Sequence, residues 1–142
     1  MHRWMLILAL AAGGCANGAQ PELPGGEPTP AGVLPGIHIG ESVPVPQLHA
    51  SVEFVDLLED SRCPVDVTCI WEGNAQVQLR LDLPDGPLPF RLDTSPNARE
   101  HKGQVAFEYR GTEFSIETLL PAPLSSHRPE PGEYELILRI RS

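Results

Sequence analysis

The chain has 142 residues, 41% of them hydrophobic, which suits one ordinary domain with a core plus some tail. Its 16 prolines and 13 glycines are too many for a helical protein and common in a turn-rich β protein. A formal net charge of -9 argues against nucleic acid, whose phosphates ask for Lys and Arg, and against a polybasic membrane patch.

The chain opens with MHRWMLILALAAGGC. His2 and Arg3 form a short positive region, and Trp4 to Ala12 is one unbroken apolar run. That run is shorter than the about 20 apolar residues needed to span a bilayer and has the length of a signal-peptide core. Ala12, Gly13 and Gly14 then lead to Cys15. Residues 1–14 resemble a bacterial lipoprotein signal, with Cys15 as the lipidated residue. Ala12 stands where such signals usually carry Leu, which leaves ordinary cleavage and simple secretion as the alternative. Ala16 and Asn17 place no Asp after the cysteine, so by analogy the outer membrane is preferred to the inner.

Next comes ANGAQPELPGGEPTPAG, punctuated by Pro and Gly and without a large apolar pattern. Such a segment cannot bury enough surface to offset its ordering entropy. Residues 15–32 therefore read as lipidated cysteine and flexible tether. At about 3 Å per residue the tether reaches several tens of Å.

From Val33 to Ser142 the apolar period is two, not 3.6. GIHIGESVPV offers a first, Pro-limited strand that belongs at an edge. LHASVEFVDLL carries Leu48, Ala50, Val52 and Phe54, then slips to Val55 and Leu57, which is how a β-bulge looks in sequence. NAQVQLRLDL places Ala75, Val77, Leu79, Leu81 and Leu83 on one face. PDGP supplies a turn, with Asp85-Gly86 suited to positive φ, and LPFRLDT returns with Leu88, Phe90 and Leu92 inward. QVAFEYR predicts Val105, Phe107 and Tyr109 inward, and Gly111 allows a tight turn into EFSIETL, with Phe114 and Ile116 inward. EYELILRIR closes with Tyr134, Leu136, Leu138 and Ile140 inward. These are about seven short strands, a single all-β domain over residues 33–142: a small antiparallel β-sandwich, Ig-like or a partly open barrel.

With Cys15 assigned to lipid, two of the three cysteines remain, and an even remainder in an oxidising compartment implies a Cys63–Cys69 disulfide. Closing so short a loop stabilises the fold by roughly 2 kcal/mol. Pro64 stiffens the loop, and the flanking Leu57, Leu58, Ile70 and Trp71 are expected to pin it to the core at both ends. As zinc ligands the two cysteines are too far apart, and no second pair exists.

Within EDSRCPVDVTCIWEGNAQVQL, the residues Asp60, Ser61, Arg62, Cys63, Pro64, Cys69, Trp71 and Gly73 resemble the signature of an uncharacterised family of small bacterial lipoproteins and secreted proteins. The resemblance implies an exported β-rich domain and hands over no activity. Glu72 stands where many members of that family carry Ala.

Trp71 reads as a core tryptophan covering the disulfide, and Arg62 as bonded to Asp60 or to loop carbonyls; the functional alternative is an aromatic and cationic contact on a rigid rim. His38 and His49 could meet and hold Zn²⁺ or Cu²⁺ if their strands pair, against a default of solvated histidines. Asp56, Glu59 and Asp60 lack calcium-loop spacing. Ser125 and His127 are neighbours in sequence, which is not triad geometry, and no catalytic signature or phosphate loop occurs.

These readings describe a lipid-anchored envelope lipoprotein, not an enzyme. It carries no cofactor and touches the membrane only through its lipid. It binds a protein or glycan of the envelope, or supports an envelope assembly. Arg62, Pro64, Val65, Asp66, Val67 and Trp71 form the candidate surface. The alternatives are metal binding through His38 and His49, and protease inhibition through the stapled loop.

Overall fold

A computed structural model describes residues 32–98 and 102–142. The signal segment, Cys15, the tether to residue 31 and His101 lie outside the described residues. Among the described residues, nine strands form two antiparallel sheets. The strands are β1 (Gly32–Val33), β2 (Ile37–His38), β3 (Ser42–Val45), β4 (Ala50–Asp60), β5 (Ala75–Leu83), β6 (Gly86–Asp93), β7 (Ala106–Tyr109), β8 (Thr112–Leu120) and β9 (Glu135–Arg141). One sheet runs β3-β4-β5-β6; the other runs β1-β9-β8-β7, with β2 also on β9. This is the all-β sandwich that the period of two predicts.

The strand count exceeds seven for a local reason. The segment expected as one edge strand serves both sheets: β2 pairs with β9, the chain turns at Gly40, and β3 then pairs with β4. Upstream, β1 pairs with the far end of β9, and Leu34 N–H donates to Leu138 O at 2.8 Å.

Strand β5 alternates buried and half-buried residues along its length, with Val77, Leu79 and Leu81 fully buried. They face Phe54 and Val52 from β4 and Leu136 and Leu138 from the other sheet within one core. Full burial of a side chain of this size is worth about 1.5–3 kcal/mol. Phe90 of β6 stacks on Phe107 of β7 with ring centroids 4.2 Å apart, and Phe114 completes the cluster 5.7 Å from Phe90. Three rings thus join the two sheets where β6 and β7 meet. Pro87 and Pro89 sit on β6, an edge strand, where a missing N–H is tolerated.

The predicted bulge in β4 lies between Phe54 and Asp56, and a second follows between Leu57 and Glu59. The β5–β6 turn comprises Pro84 and Asp85; only Gly86, at φ +127°, takes positive φ, so the expectation for Asp85 is corrected. The β7–β8 turn has Arg110 and Gly111 both at positive φ, the pattern that matches strand twist in two-residue hairpins. Val105, expected inward, is exposed because β7 starts one residue later.

Candidate functional site

The stapled loop is the tip of the β4–β5 hairpin. Beyond the last pair, Asp60 with Ala75, the two arms continue to bond: Ser61 N–H to Asn74 O at 2.6 Å and Cys63 N–H to Glu72 O at 2.9 Å. Cys63 and Cys69 form the disulfide, with Cα atoms 6.0 Å apart. Gly73 makes the close approach of the arms possible. It adopts φ +72°, and a Cβ there would fall 1.9 Å from Ser61 O.

Arg62 ties this tip to the opposite sheet. Its Nε and Nη2 donate to the two oxygens of Asp60, each at 2.8 Å. Nη1 donates to Leu119 O at 2.6 Å and Nη2 to Pro121 O at 3.0 Å, both at the end of β8. The Tyr134 hydroxyl donates to Asp60 Oδ2 at 3.0 Å. Burial pushes the Asp60 carboxyl up, but the Arg62 hydrogen bonds and charge, with the Tyr134 hydroxyl, outweigh it and hold the group below its ordinary 3.8. Burial, followed by the Asp60 hydrogen bond and charge, pushes Tyr134 up from 10.0 to about 12. Of the two roles open to Arg62, the structure therefore shows the bonded one, with Asp60, the carbonyl of Leu119 in β8 and that of Pro121 just beyond it as partners.

A second set of bonds holds the tip to the β8–β9 connection. Val65 N–H donates to Pro123 O at 3.0 Å, and Asp66 accepts from Ser125 N–H at 2.8 Å and from Ser125 Oγ at 2.5 Å. Those Ser125 bonds hold the Asp66 carboxyl below its ordinary value. Ser125 is thus turned to Asp66 while His127 Nε2 lies 3.2 Å from Glu133, so the two side chains do not form a dyad.

Sequence reasoning missed Asn74, which organises the base of the hairpin. It is buried, donates from Nδ2 to Asp93 at 2.8 Å, and accepts on Oδ1 from Ser95 N–H at 3.1 Å and Thr94 Oγ1 at 3.3 Å. One signal was available: a polar Asn directly before a strict alternation, with Asp93, Thr94 and Ser95 ending the returning strand. Glu72 has a partner of its own, accepting from Ser95 Oγ at 2.5 Å.

Of the apolar flanks of the disulfide, Leu57 packs against the core as expected, but Leu58, Ile70 and Trp71 do not pin the loop to it. Ile70 is fully exposed, Trp71 is 57% exposed, and Leu58 is 43% exposed. The hairpin extension carries residues 63–71 past the ends of the sheets, out of reach of the core. Polar bonds from Arg62, Val65 and Asp66 fasten the loop instead. Of the candidate surface, Val65, Asp66, Val67 and Trp71 are exposed, whereas Arg62 and Pro64 are partly buried. Beside Trp71 opens a cleft of about 550 Å³, lined also by Glu59, Ser61, Glu72, Asn74 and Asn97.

The condition for a His38–His49 metal site is not met. Their strands do not pair: His38 lies on β2 against β9, and His49 precedes β4 in the other sheet. His38 Nδ1 sits 2.8 Å from Tyr134 O. Among the described residues no group of three or more His, Cys, Asp or Glu could hold a metal ion, and no helix is long and apolar enough to cross a membrane. Comparison of the chain with protein-family models, with curated proteins and with solved structures found no match.

Proposed function

We propose that this chain is a lipid-anchored envelope lipoprotein of the kind its Asp60-to-Gly73 signature resembles, and that it acts as a non-catalytic binding module through its stapled tip. One observation carries the reading: Val65, Val67 and Ile70 stand exposed on a loop fixed by a disulfide and by hydrogen bonds to both sheets. Apolar side chains gathered on a surface mark interaction sites. A loop ordered before binding loses less entropy on binding. Arg62 belongs to the frame of this surface, as a positioning residue. The disulfide is compatible with an oxidising compartment. Lipidation of Cys15 and a place in the outer membrane complete the proposal.

Two measurements test it. Intact mass of the protein from its own envelope reports lipid on Cys15 and the two-hydrogen loss of the disulfide. A photo-crosslinking residue at Ile70 in living cells should give a discrete adduct that Val67→Asp abolishes. Free thiols, or adducts indifferent to Val67→Asp, would refute the reading.

A further inference from the structure

Antiparallel pairing leaves alternate residues of an edge strand with N–H and C=O pointing away from the sheet, and the register fixes which residues these are. On β6 the Leu83–Gly86 pair closes the hairpin, so Pro87, Pro89, Arg91 and Asp93 point outward; Asp93 N–H donates outward to Gln104 O at 2.8 Å. Pro87 and Pro89 thus stand where an added strand would need an N–H. On β3, Phe54 N–H donates to Glu41 O and Gly40 N–H to Phe54 O, so Val52 and Ala50 face β3 and Pro44 points outward, again without an N–H. On β2, Glu41 takes both outward groups of His38: Oε2 accepts from its N–H and the Glu41 N–H donates to its carbonyl, each at 2.9 Å. Where β8 runs past β7, Arg62 takes the carbonyls of Leu119 and Pro121. Strand β1 is blunted by its length of two residues.

Strand β7 has no such guard. Arg110 and Gly111 make a two-residue turn, so the closing pair Tyr109–Thr112 shares hydrogen bonds. Tyr109 and Phe107 therefore turn their backbone groups to β8, and Ala106 and Glu108 turn theirs outward. Among the described residues nothing hydrogen-bonds to the outward N–H and C=O of Ala106 or Glu108. The side chains of these two are exposed, whereas Phe107 and Tyr109 are partly buried, Phe107 against Phe90. Glu108 lies directly across from Glu113, an unfavourable like-charge pair. Arg141 stands 3.6 Å from Glu113, while Glu108 is in no ion pair among the described residues.

We propose that the outer edge of β7 takes up an extended segment of a partner protein as an added strand. The segment pairs with the backbone of Ala106 and Glu108, places Lys or Arg beside Glu108, and lays apolar side chains on the face of Phe107 and Tyr109. Free N–H and C=O groups at strand spacing match another extended backbone, which a glycan or a lipid lacks. A cation beside Glu108 relieves its repulsion from Glu113. A second copy of this chain is the poorer occupant, since it brings its own Glu108 and Glu113 to the same edge. Thr112 and Glu113 lie toward Arg141, whereas Leu120 and Glu135 lie at the stapled end, so this edge stands apart from the tip and does not depend on the reading proposed for it.

The test uses the full chain in detergent and residue-resolved amide exchange by nuclear magnetic resonance. In the chain alone, the Ala106 and Glu108 amides should exchange at least about tenfold faster than those of Phe107 and Tyr109. The probe is a blocked hexapeptide alternating Lys with Val; the control carries Glu in place of Lys. The Lys peptide should slow exchange at Ala106 and Glu108, and its binding should weaken at least about tenfold in Ala106→Pro and in Glu108→Lys. Ala106→Pro copies the device present at Pro87 and Pro89, and an unchanged melting temperature verifies its fold. Should it fail to fold, Glu108→Lys, which keeps every backbone group, decides alone. Slow exchange at Ala106 and Glu108 in the chain alone overturns the proposal by showing a covered edge; protection that grows with protein concentration identifies the cover as a second copy. Binding of neither peptide, equal binding of both, or binding that the variants leave unchanged also overturns it.

Discussion

Replacing Arg62 by Met keeps the aliphatic stem and removes five hydrogen-bonding protons from a half-closed site. The side chains of Arg62 and Asp60 are only 15% and 10% exposed, so Asp60 would be left as a largely desolvated carboxylate that keeps the Tyr134 hydroxyl and the long 3.3 Å bond from the residue-62 backbone N–H but loses the guanidinium charge and its two short bonds. Breaking a buried pair from one side costs about 3–5 kcal/mol. Residual water access places Arg62→Met near the lower end, about 3 kcal/mol. That is a large share of the about 5–15 kcal/mol expected for a whole domain. At about 4 °C per kcal/mol, the melting temperature should fall by roughly 12 °C. Urea unfolding followed by far-ultraviolet circular dichroism measures the loss directly, because the exposed Trp71 reports poorly on the core. The double variant Asp60→Asn/Arg62→Met leaves neither charge unpaired, so it should be less destabilised than the two single losses added together, by about 1–3 kcal/mol. If Arg62→Met lies within about 0.5 kcal/mol of the parent, as ordinary surface changes do, the guanidinium is not the bridge between the sheets. Strict additivity of the two substitutions would refute the coupling.

Tyr134 is neutral and its folded value lies near 12, above the ordinary 10.0, so its contribution is complete below pH 10 and is lost as pH rises through about 12. Melts across that window should show an alkaline limb that Tyr134→Phe removes, at a cost of about 1 kcal/mol near neutrality. Asp60 behaves oppositely: its depressed value contributes stability above about pH 4, lost as pH falls through the folded value, and Asp60→Asn should flatten that acid limb. Reduction of Cys63–Cys69 should lower stability by about 2 kcal/mol while leaving the strand signal intact, since Val65 and Asp66 still hold the loop; loss of the far-ultraviolet signal at 25 °C would contradict this. Gly73→Ala should cost more than Gly111→Ala, because both positions have positive φ but only at Gly73 does a Cβ strike backbone; equal melting temperatures would show that the hairpin arms can separate.

Alternation made the sheets legible. Val77, Leu79 and Leu81 sit where a period of two puts them, and the slip at Phe54-Val55 marks a real bulge. The second bulge was hidden because Leu57 and Leu58 are both apolar, so a shift of face leaves no mark in the pattern. Val105 misled for a similar reason: alternation extends one residue beyond the start of the strand. Cysteine parity yielded the disulfide. It could not yield the direction in which the loop projects, which depends on Gly73 and on bonds from Arg62 to Leu119 and Pro121, 57 and 59 residues away. Such partners are brought together by the packing of two sheets, and no local window contains them.

The residues of the stapled hairpin therefore divide into two groups. Asp60, Ser61, Arg62 and Gly73 are occupied with one another or with the opposite sheet, and Asn74 beside them is saturated with hydrogen bonds. Their common effect is to hold residues 63–71 in one place. Val65, Val67 and Ile70 contribute nothing to the core, and their exposure gives up the hydrophobic stabilisation that burial would provide. A loop needed only to join β4 to β5 would serve as well with polar residues at these three positions. A fixed frame around exposed apolar side chains has a physical rationale if those side chains are covered by a partner. The expected division is testable within the hairpin: polar substitutions at Val65, Val67 or Ile70 should leave the melting temperature within about 0.5 kcal/mol equivalents of the parent, whereas Asn74→Ala should cost about 2 kcal/mol by removing a buried donor from Asp93 and the acceptor of the Ser95 N–H. Comparable losses at both groups would make the exposed residues part of the fold and remove the physical argument for a recognition surface.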